Sequence, residues 1–221
     1  MFESLFNAIT PFDMNVLTYI REHLRTSVGD VFFKIITHMA DPIVAPIYPI
    51  IFIIIGSIIY YRRHKRGERV LDSGDRFDFA RLGWLMGVAL LLGLIVCNLT
   101  LKPLIARPRP YTLTEDYPIA STLRLIELQS EKSFPSGHSV AVFEMALVAT
   151  YYCRKMGRGG WGFFAYGMAI LIGFSRLYVG VHYPSDVVGG MIVGTVCGIL
   201  AILIVNAVYR KLEAKNKVSV V

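Results

Sequence analysis

The chain has 221 residues, of which 54% are hydrophobic and 18% charged, and its formal net charge is +7. Its mean hydropathy of +0.52 is too high for an average water-soluble domain of this length. The apolar residues occur in long runs, as in membrane-spanning helices, so the basic excess indicates contact with anionic lipid headgroups rather than with nucleic acid.

The first 41 residues predict two short amphipathic helices. Apolar residues recur on one helical face of Met14–Leu24, with Asp13 as the expected N-cap, and again on one face of Asp30–Met39. Neither helix reaches the roughly 20 apolar residues that a membrane span needs. We expect helices that lie in the membrane interface, with ordinary packed amphipathic helices as the alternative. Residues 1–10 lack the pattern of a cleavable signal peptide.

Five longer apolar runs follow and predict an all-α, polytopic membrane helical bundle with five spans. A bundle with six spans is the alternative. The predicted spans cover residues 43–61, 82–101, 136–153, 162–177 and 185–209. We therefore divide the chain into the interfacial helices of residues 1–41 and one membrane domain over residues 42–221.

Basic residues set the expected orientation of this bundle. Lysine and arginine are concentrated in segments 62–81 and 154–160 and in the tail at 210–217, which five spans place on one side of the membrane. Because cytoplasmic loops carry an excess of Lys and Arg, that side is the cytoplasmic one. Segments 102–135 and 176–184 are then external, and they contain the residues that suggest chemistry.

The first motif is KPLIARPRP, which begins at Lys102 and contains the further cations Arg107 and Arg109. An arginine guanidinium is a planar fork that can bind two phosphate oxygens at once. The motif therefore predicts an anion site at the outer end of the second span. The alternative is a set of cationic anchors that face lipid headgroups.

The second motif is SFPSGHS, residues 133–139. Pro135 suits the first position of a helix, so we expect the third span to begin there with the backbone N–H groups of Ser136, Gly137 and His138 pointing outward. A glycine also lets a phosphate approach the backbone closely. His138 could donate a proton to a bound group, or it could be incidental to a capped helix start.

The third motif is SRLYVGVHYPSD, which runs from Ser175 to Asp186. Pro184 can open the fifth span, and Asp186 then lies in its first turn, where the helix dipole favours a carboxylate. Asp186 could accept the Nδ1–H of His182 and leave Nε2 free to attack. Arg176 lies at the outer end of the fourth span. A purely local hydrogen bond between the histidine and the aspartate is the alternative.

The three motifs fall on the same external face in this topology. Cations, two histidines, one carboxylate and two helix starts together predict a site for an anion in which one histidine attacks and the other protonates. Ionisable residues beside membrane spans are usually functional. An anion transporter is the alternative from another class, but the sequence shows no duplication of the kind many transporters have.

These motifs resemble the signature of the type 2 phosphatidic acid phosphatase superfamily, in its membrane lipid phosphatase branch. Every signature position is matched in order between residues 102 and 186. The matching residues are Lys102, Arg109, Pro110, Pro135, Ser136, Gly137, His138, Ser175, Arg176, His182 and Asp186.

The resemblance implies a role for each site residue. His182 is the nucleophile, Asp186 orients it, and His138 protonates the leaving oxygen and later activates water. The residues implied to bind phosphate are Lys102, Arg109, Ser136, Gly137 and Arg176. The family phosphatases use no metal, so no cofactor is expected.

The function implied is hydrolysis of a lipid phosphate or lipid pyrophosphate through a phosphohistidine, in the cell membrane and with the active site on the extracytoplasmic face. An outward site favours undecaprenyl pyrophosphate, and phosphatidylglycerophosphate or phosphatidate are the alternatives. The expected partners are a lipid substrate and the membrane, and not nucleic acid. Bacterial members of the family commonly have six spans, whereas here two short helices replace the first.

Overall fold

The structure is a computed structural model that describes residues 2–66, 78–127 and 132–218. Within these ranges the regular structure is entirely helical. The α-helices are α1 (Phe2–Tyr19), α2 (Ser27–His38), α3 (Ile47–Lys65), α4 (Phe79–Gly93), α5 (Lys102–Ile105), α6 (Gly137–Lys155), α7 (Trp161–Tyr178) and α8 (Pro184–Val218). The all-α prediction is confirmed for this part of the chain.

Helix α6 is the centre of the bundle and packs against α4, α7 and α8, while α3 packs on the outer side of α4. Glycine makes the contact between α6 and α8 close. A Cβ atom on Gly194 of α8 would lie 2.4 Å from the carbonyl oxygen of Val140, so the two backbones touch there. Small residues permit such contacts between apolar helices. The N-termini of α6 and α8 therefore lie side by side.

Many large apolar side chains point outward from the bundle, among them Ile54 of α3, Phe163 of α7 and Leu203 of α8. In the part of the chain that the structure describes, two helical stretches could cross a membrane by length and composition, Phe79–Thr112 and Pro184–Leu212. An apolar exterior on these helices suits contact with lipid. The count of five spans, the alternative of six and the interfacial position of residues 1–41 stay predictions.

The five predicted apolar runs correspond to α3, α4, α6, α7 and α8. The second run is not a uniform α-helix, because α4 changes at Leu94 into a π-helical segment that extends to Leu101. Such wide turns inside helices are frequent at functional sites. Here the segment leads directly to Lys102.

The N-terminal helices differ from the prediction at one residue that matters for the site. Helix α1 already begins at Phe2, so Asp13 lies inside it and the predicted N-cap is wrong. The Asp13 side chain is instead buried against the Arg107 guanidinium, and this ion pair outweighs the preference of aspartate for helix starts. Helix α2 begins earlier than predicted, because the Thr26 hydroxyl caps it by accepting the Gly29 N–H at 3.0 Å.

Both N-terminal helices pack on the end of the bundle where α6 and α8 begin. Met14 and Leu17 of α1 form a buried cluster with Leu123 and with Tyr183, which directly precedes α8. Helix α2 packs on α7. The Arg25 guanidinium between α1 and α2 donates to the carbonyl oxygen of Tyr178 at 2.8 Å. These contacts bring residues 10–41 close to the third motif.

Candidate active site

A cavity of about 1210 Å³ opens at the end of the bundle where α4 ends and α6 begins. It brings together side chains from all three sequence motifs. The predicted site residues that line it are Lys102, Arg109, Gly137, His138, Arg176 and His182. These residues come from three separate stretches of the chain, and the fold brings them together at one end of the bundle.

His182 lies in the loop between α7 and α8, and Asp186 lies in the first turn of α8. The His182 Nδ1 atom is 3.3 Å from Asp186 Oδ2, which also accepts the Tyr183 N–H at 2.9 Å. Ser133 Oγ donates to the same carboxylate oxygen. With Nδ1 turned to the carboxylate, Nε2 lies on the Arg109 side, 3.3 Å from its guanidinium.

The surroundings of His182 fix its protonation state. Burial, together with the positive charges of Arg109 and Arg176, lowers the pKa of His182 well below its ordinary value of 6.5. The imidazole is therefore neutral at pH 7. If Asp186 accepts the Nδ1 proton, Nε2 carries the lone pair that a nucleophile needs.

Arg107 lies behind the histidine and outside the cavity. Its guanidinium donates to Asp186 Oδ1 at 2.9 Å and to Asp13 Oδ2 at 2.8 Å, and all three side chains are buried. The Tyr183 ring lies 3.8 Å from the Arg107 guanidinium carbon. Arg107 therefore holds Asp186 in place rather than lining the cavity, which is a role that the sequence did not assign to it.

The cations in the cavity are positioned by backbone and hydroxyl groups. The Arg109 guanidinium donates to the carbonyl oxygen of Val181 at 2.7 Å. The Arg176 guanidinium donates to the Thr37 hydroxyl at 2.6 Å, and its Nε atom has no hydrogen-bond partner in the described chain. Buried cations that share one cavity repel each other, so a bound anion stabilises the group.

The start of α6 differs in detail from the prediction. Ser136 is the N-cap, and its hydroxyl accepts the Ser139 N–H, so Pro135 precedes the cap instead of taking the first helical position. The Ser136 N–H donates to the carbonyl oxygen of Asp186 at 3.1 Å and is not free to face an anion. Ser136 is not among the residues that line the cavity, whereas Gly137 and His138 are.

His138 is held by a carboxylate that the motifs did not include. Its Nε2 atom is 2.8 Å from Asp41 Oδ1, and the other oxygen of Asp41 lies 2.6 Å from His38 Nδ1. The hydrogen bond with His138, helped by that with His38 and opposed by partial burial, lowers the pKa of Asp41 to about 2. Asp41 is therefore ionised throughout the neutral range.

Within residues 2–66, 78–127 and 132–218, no group of three His, Cys, Asp or Glu side chains is arranged to hold a metal ion. Two carboxylates beside the histidines are engaged by basic side chains. Asp186 pairs with Arg107, and Asp41 pairs with His138. An anionic substrate in the cavity would meet cations, histidines and the start of α6.

Residues 82–210 match the family model described as the PAP2 superfamily, which is more than half of the chain. The chain belongs to the PAP2 superfamily. Among solved structures, this PAP2 protein is similar to the PAP2 type phosphatidylglycerolphosphate phosphatase from Bacillus subtilis, with a TM-score of 0.64 and 24% identity. That likeness covers 90% of this chain and 88% of the other, and it supports the fold.

Curated relatives of this PAP2 protein carry phosphatase names. The chain is 32% identical over 115 residues to undecaprenyl-diphosphatase BcrC of Bacillus subtilis, which is 52% of this chain and 53% of the relative. It is 31% identical over 126 residues to lipid A 4'-phosphatase of Bacteroides thetaiotaomicron, which is 56% of this chain and 53% of the relative. The chain thus spans about half the length of these relatives.

Proposed function

We propose that this PAP2 protein hydrolyses a lipid phosphate or lipid diphosphate without a metal, through a phosphohistidine at His182. The observation that carries the proposal is the neutral, buried His182, held by Asp186 and turned toward the cavity that Lys102, Arg109 and Arg176 line. An apolar extension of the same cavity between α3 and α4 supports a lipid substrate. The phosphatase names of the relatives support the reaction class.

In the first step, Nε2 of His182 attacks the phosphorus atom, and the bond from phosphorus to the leaving oxygen breaks. The proton on His138 passes to that oxygen, so that the lipid leaves as a neutral hydroxyl or as a protonated phosphate. Lys102, Arg109 and Arg176 bind the oxygens of the phosphoryl group, whose negative charge is greatest near the transition state. Asp186 stabilises the positive imidazolium formed at His182.

In the second step, a water molecule attacks the phosphohistidine in line with the P–N bond. His138, now neutral, takes the water proton and so returns to its starting form. The P–N bond breaks, and inorganic phosphate leaves the cations. Protons and charges balance over the two steps with no other reactant than water.

We also propose that the protein is a multi-pass protein of the cell membrane with the site on the extracytoplasmic face. The basic last turns of α3 and α6 support this orientation. Arg62, Arg63 and Lys65 end α3, and Arg154 and Lys155 end α6, at the end of the bundle away from the cavity. Basic residues at that end mark the cytoplasmic side.

Two substrate classes fit the cations of the cavity. The similarity to an undecaprenyl-diphosphatase supports a polyprenyl diphosphate, which is also what an outward-facing site favours. An acylated lipid phosphate, such as a phosphatidate or phosphatidylglycerophosphate, is the second candidate. It is favoured by two polar side chains in the apolar part of the cavity, Glu144 and Asn98, whose buried oxygens have no partner within the described residues.

The test is phosphate release by the purified full chain in detergent, with EDTA present, from undecaprenyl diphosphate, phosphatidate and phosphatidylglycerophosphate. We expect release from at least one of these lipids, and none by His182→Ala on any of them. A strict requirement for a divalent metal, or binding of a phosphate anion with no turnover of any lipid, would contradict the proposal. The latter outcome is what an anion transporter predicts.

A further inference from the structure

The cavity of the active site continues between α3 and α4 as a groove whose walls are apolar. Pro49 and Ile53 of α3 line it on one side, and Trp84, Val88 and Leu91 of α4 line it on the other. The phosphate-binding end and this groove belong to one continuous space. A lipid whose phosphate is bound by the cations would place its hydrocarbon chains in the groove.

Two polar side chains line the wall between the phosphate end and the hydrocarbon groove. Glu144 of α6 is 1% exposed, and its Oε2 atom has no hydrogen-bond partner in the described chain. Asn98, in the π-helical segment, likewise has a buried Oδ1 atom without a partner there. Unpaired buried polar groups are rare in native proteins because each is destabilising. The two-step reaction at His182 uses neither residue.

Glu144 lies at a fixed distance from the phosphate-binding end of the cavity. Gly137 and Glu144 are seven residues apart on α6, which places them on the same helical face and roughly 10 Å apart along the helix. The carboxyl group packs directly on Gly93 of α4, where a Cβ atom would lie 2.5 Å from Glu144 Oε2. The carboxyl group is thus held in the wall of the cavity and has little freedom to turn elsewhere.

Asn98 lies at the level of Gly137. A Cβ atom on Gly137 would lie 3.4 Å from Asn98 Oδ1 and 3.6 Å from Lys102 Nζ, so the amide is next to the phosphate end. Asn98 and Glu144 therefore form a polar path from the cations to the apolar groove. A lipid bound there meets hydrogen-bonding groups directly after its phosphate, and hydrocarbon only further on.

The hydrogen-bonding groups of Glu144 and Asn98 distinguish lipids that carry acceptors near the phosphate from lipids that do not. Glu144 has no ion pair in the described chain, and its neighbours Gly93 and Val140 are apolar, so the protonated carboxyl form suits its site. That form has an O–H to donate. The N–H groups of the Asn98 amide can donate as well, whereas its unpartnered Oδ1 atom can only accept. Carbonyl oxygens of ester-linked or amide-linked acyl chains are acceptors close to the phosphate. A polyprenyl diphosphate has acceptors on its second phosphate, directly beside the first, but its chain is hydrocarbon from the first carbon and offers no acceptor at the depth of Glu144.

We propose that Glu144 and Asn98 form a carbonyl-binding subsite, and that the substrate is an acylated lipid phosphate rather than a polyprenyl diphosphate. The inference rests on the proposed phosphatase function and narrows its substrate class. In the bound lipid, the phosphate lies against Lys102, Arg109 and Arg176. An acyl carbonyl accepts a hydrogen bond from the wall, and the hydrocarbon chains lie between α3 and α4.

The test compares kcat/KM of the full-length protein, in mixed micelles, for three lipids. They are a diacyl phosphatidate, its dialkyl ether analogue with chains of equal length, and undecaprenyl diphosphate. The diacyl and dialkyl lipids differ only in the carbonyl groups. We expect the diacyl lipid to be preferred over the ether by about tenfold, the effect of one hydrogen bond to a site built for it. We expect undecaprenyl diphosphate to be the poorest substrate.

Variants at Glu144 separate recognition from folding. Glu144→Leu should lower kcat/KM for the diacyl lipid about tenfold and leave the ether lipid unchanged, because only the former loses a hydrogen bond. Glu144→Gln keeps a donor and should restore most of the preference. Met145→Leu is the matched control on the same helix, since Met145 does not line the cavity. It should change neither value.

Several outcomes overturn the subsite. Equal rates of the wild-type protein on diacyl and dialkyl lipids would do so, and this comparison needs no variant to fold. The subsite would also be contradicted if undecaprenyl diphosphate were the best substrate. An equal loss of kcat/KM on all lipids in Glu144→Leu would contradict it as well. Failure of the proposed function would look different. The wild-type protein would then release no phosphate from any lipid, or His182→Ala would be fully active.

Discussion

Asp41 connects the N-terminal helices to the chemistry, because its carboxylate binds the histidine assigned as the general acid. Asp41→Asn keeps the shape and a hydrogen-bond acceptor but removes the charge that stabilises a protonated His138. We expect turnover of phosphatidate to fall at least about tenfold, with the roughly 10²–10⁴-fold that general acid catalysis is typically worth as the upper limit. Turnover of nitrophenyl phosphate should fall less, because nitrophenolate leaves without a proton. An equal loss of turnover on both substrates would show that Asp41 does not assist the protonation of the leaving group.

His138 itself is tested by the same pair of substrates in single-turnover experiments. His138→Ala should slow the phosphorylation step strongly for phosphatidate and weakly for nitrophenyl phosphate. Because His138 is also proposed to activate water, the phosphoenzyme should accumulate with nitrophenyl phosphate. Equal slowing on both substrates, with no accumulated intermediate, would leave His138 as a phosphate-binding residue only.

The low pKa of His182 predicts how stability depends on pH. The folded protein keeps His182 neutral, whereas the unfolded chain protonates it below its ordinary pKa of 6.5. Stability should therefore decrease as the pH falls from 6.5 toward the folded-state pKa. Thermal unfolding in detergent at pH 7.5 and 5.5 measures this. His182→Asn should lose less stability over that interval than the wild-type protein, and an equal loss in both would contradict the assignment.

At the scale of the helices, the contact between α6 and α8 sets the distance between the two helix starts at the site. Gly194→Ala would place a Cβ atom 2.4 Å from the Val140 carbonyl oxygen, whereas a Cβ atom on Gly167 of α7 would meet nothing within 4 Å. We expect Gly194→Ala to destabilise the protein by about 1–3 kcal/mol and to lower activity. Gly167→Ala should be neutral or stabilise by about 1 kcal/mol. Similar unfolding midpoints for the two variants would exclude close packing here.

The helices could be predicted because their signals are local. Runs of apolar residues and prolines near helix starts act over one or two turns, so α3, α4, α6, α7 and α8 follow from the sequence. The start of α6 was missed by two residues, since the serine hydroxyl rather than the preceding proline determines the cap. The change to π-helix at Leu94 has no such local signal.

The supporting residues of the site could not be predicted, because they come from far along the chain. Arg107 and Asp13 are 94 residues apart, and His138 and Asp41 are 97 apart. The hydroxyl that binds Arg176 belongs to Thr37, 139 residues away. No periodicity links such pairs. The motifs identified the histidines and basic residues that line the cavity, whereas the residues that hold them are known only from the packing of α1 and α2.

For the whole molecule, the proposed orientation is tested by cysteine labelling in intact cells. Glu115→Cys lies in the loop after the first motif, and Gly160→Cys lies in the turn between α6 and α7 at the opposite end of the bundle. The native cysteines Cys97, Cys153 and Cys197 are replaced first. An impermeant thiol reagent should label only the Glu115→Cys variant. Labelling of the Gly160→Cys variant alone would place the active site on the cytoplasmic face.

The covalent phosphohistidine at His182 is the step on which the proposed reaction depends, and it can be observed directly. Wild-type protein is mixed with a substrate carrying labelled phosphate and quenched within one turnover. We expect an adduct on His182 that is labile in acid and stable in base, as a phosphorus–nitrogen bond is. His182→Ala should show neither adduct nor turnover. Label on a serine or a carboxylate, or normal turnover by His182→Ala, would contradict the account.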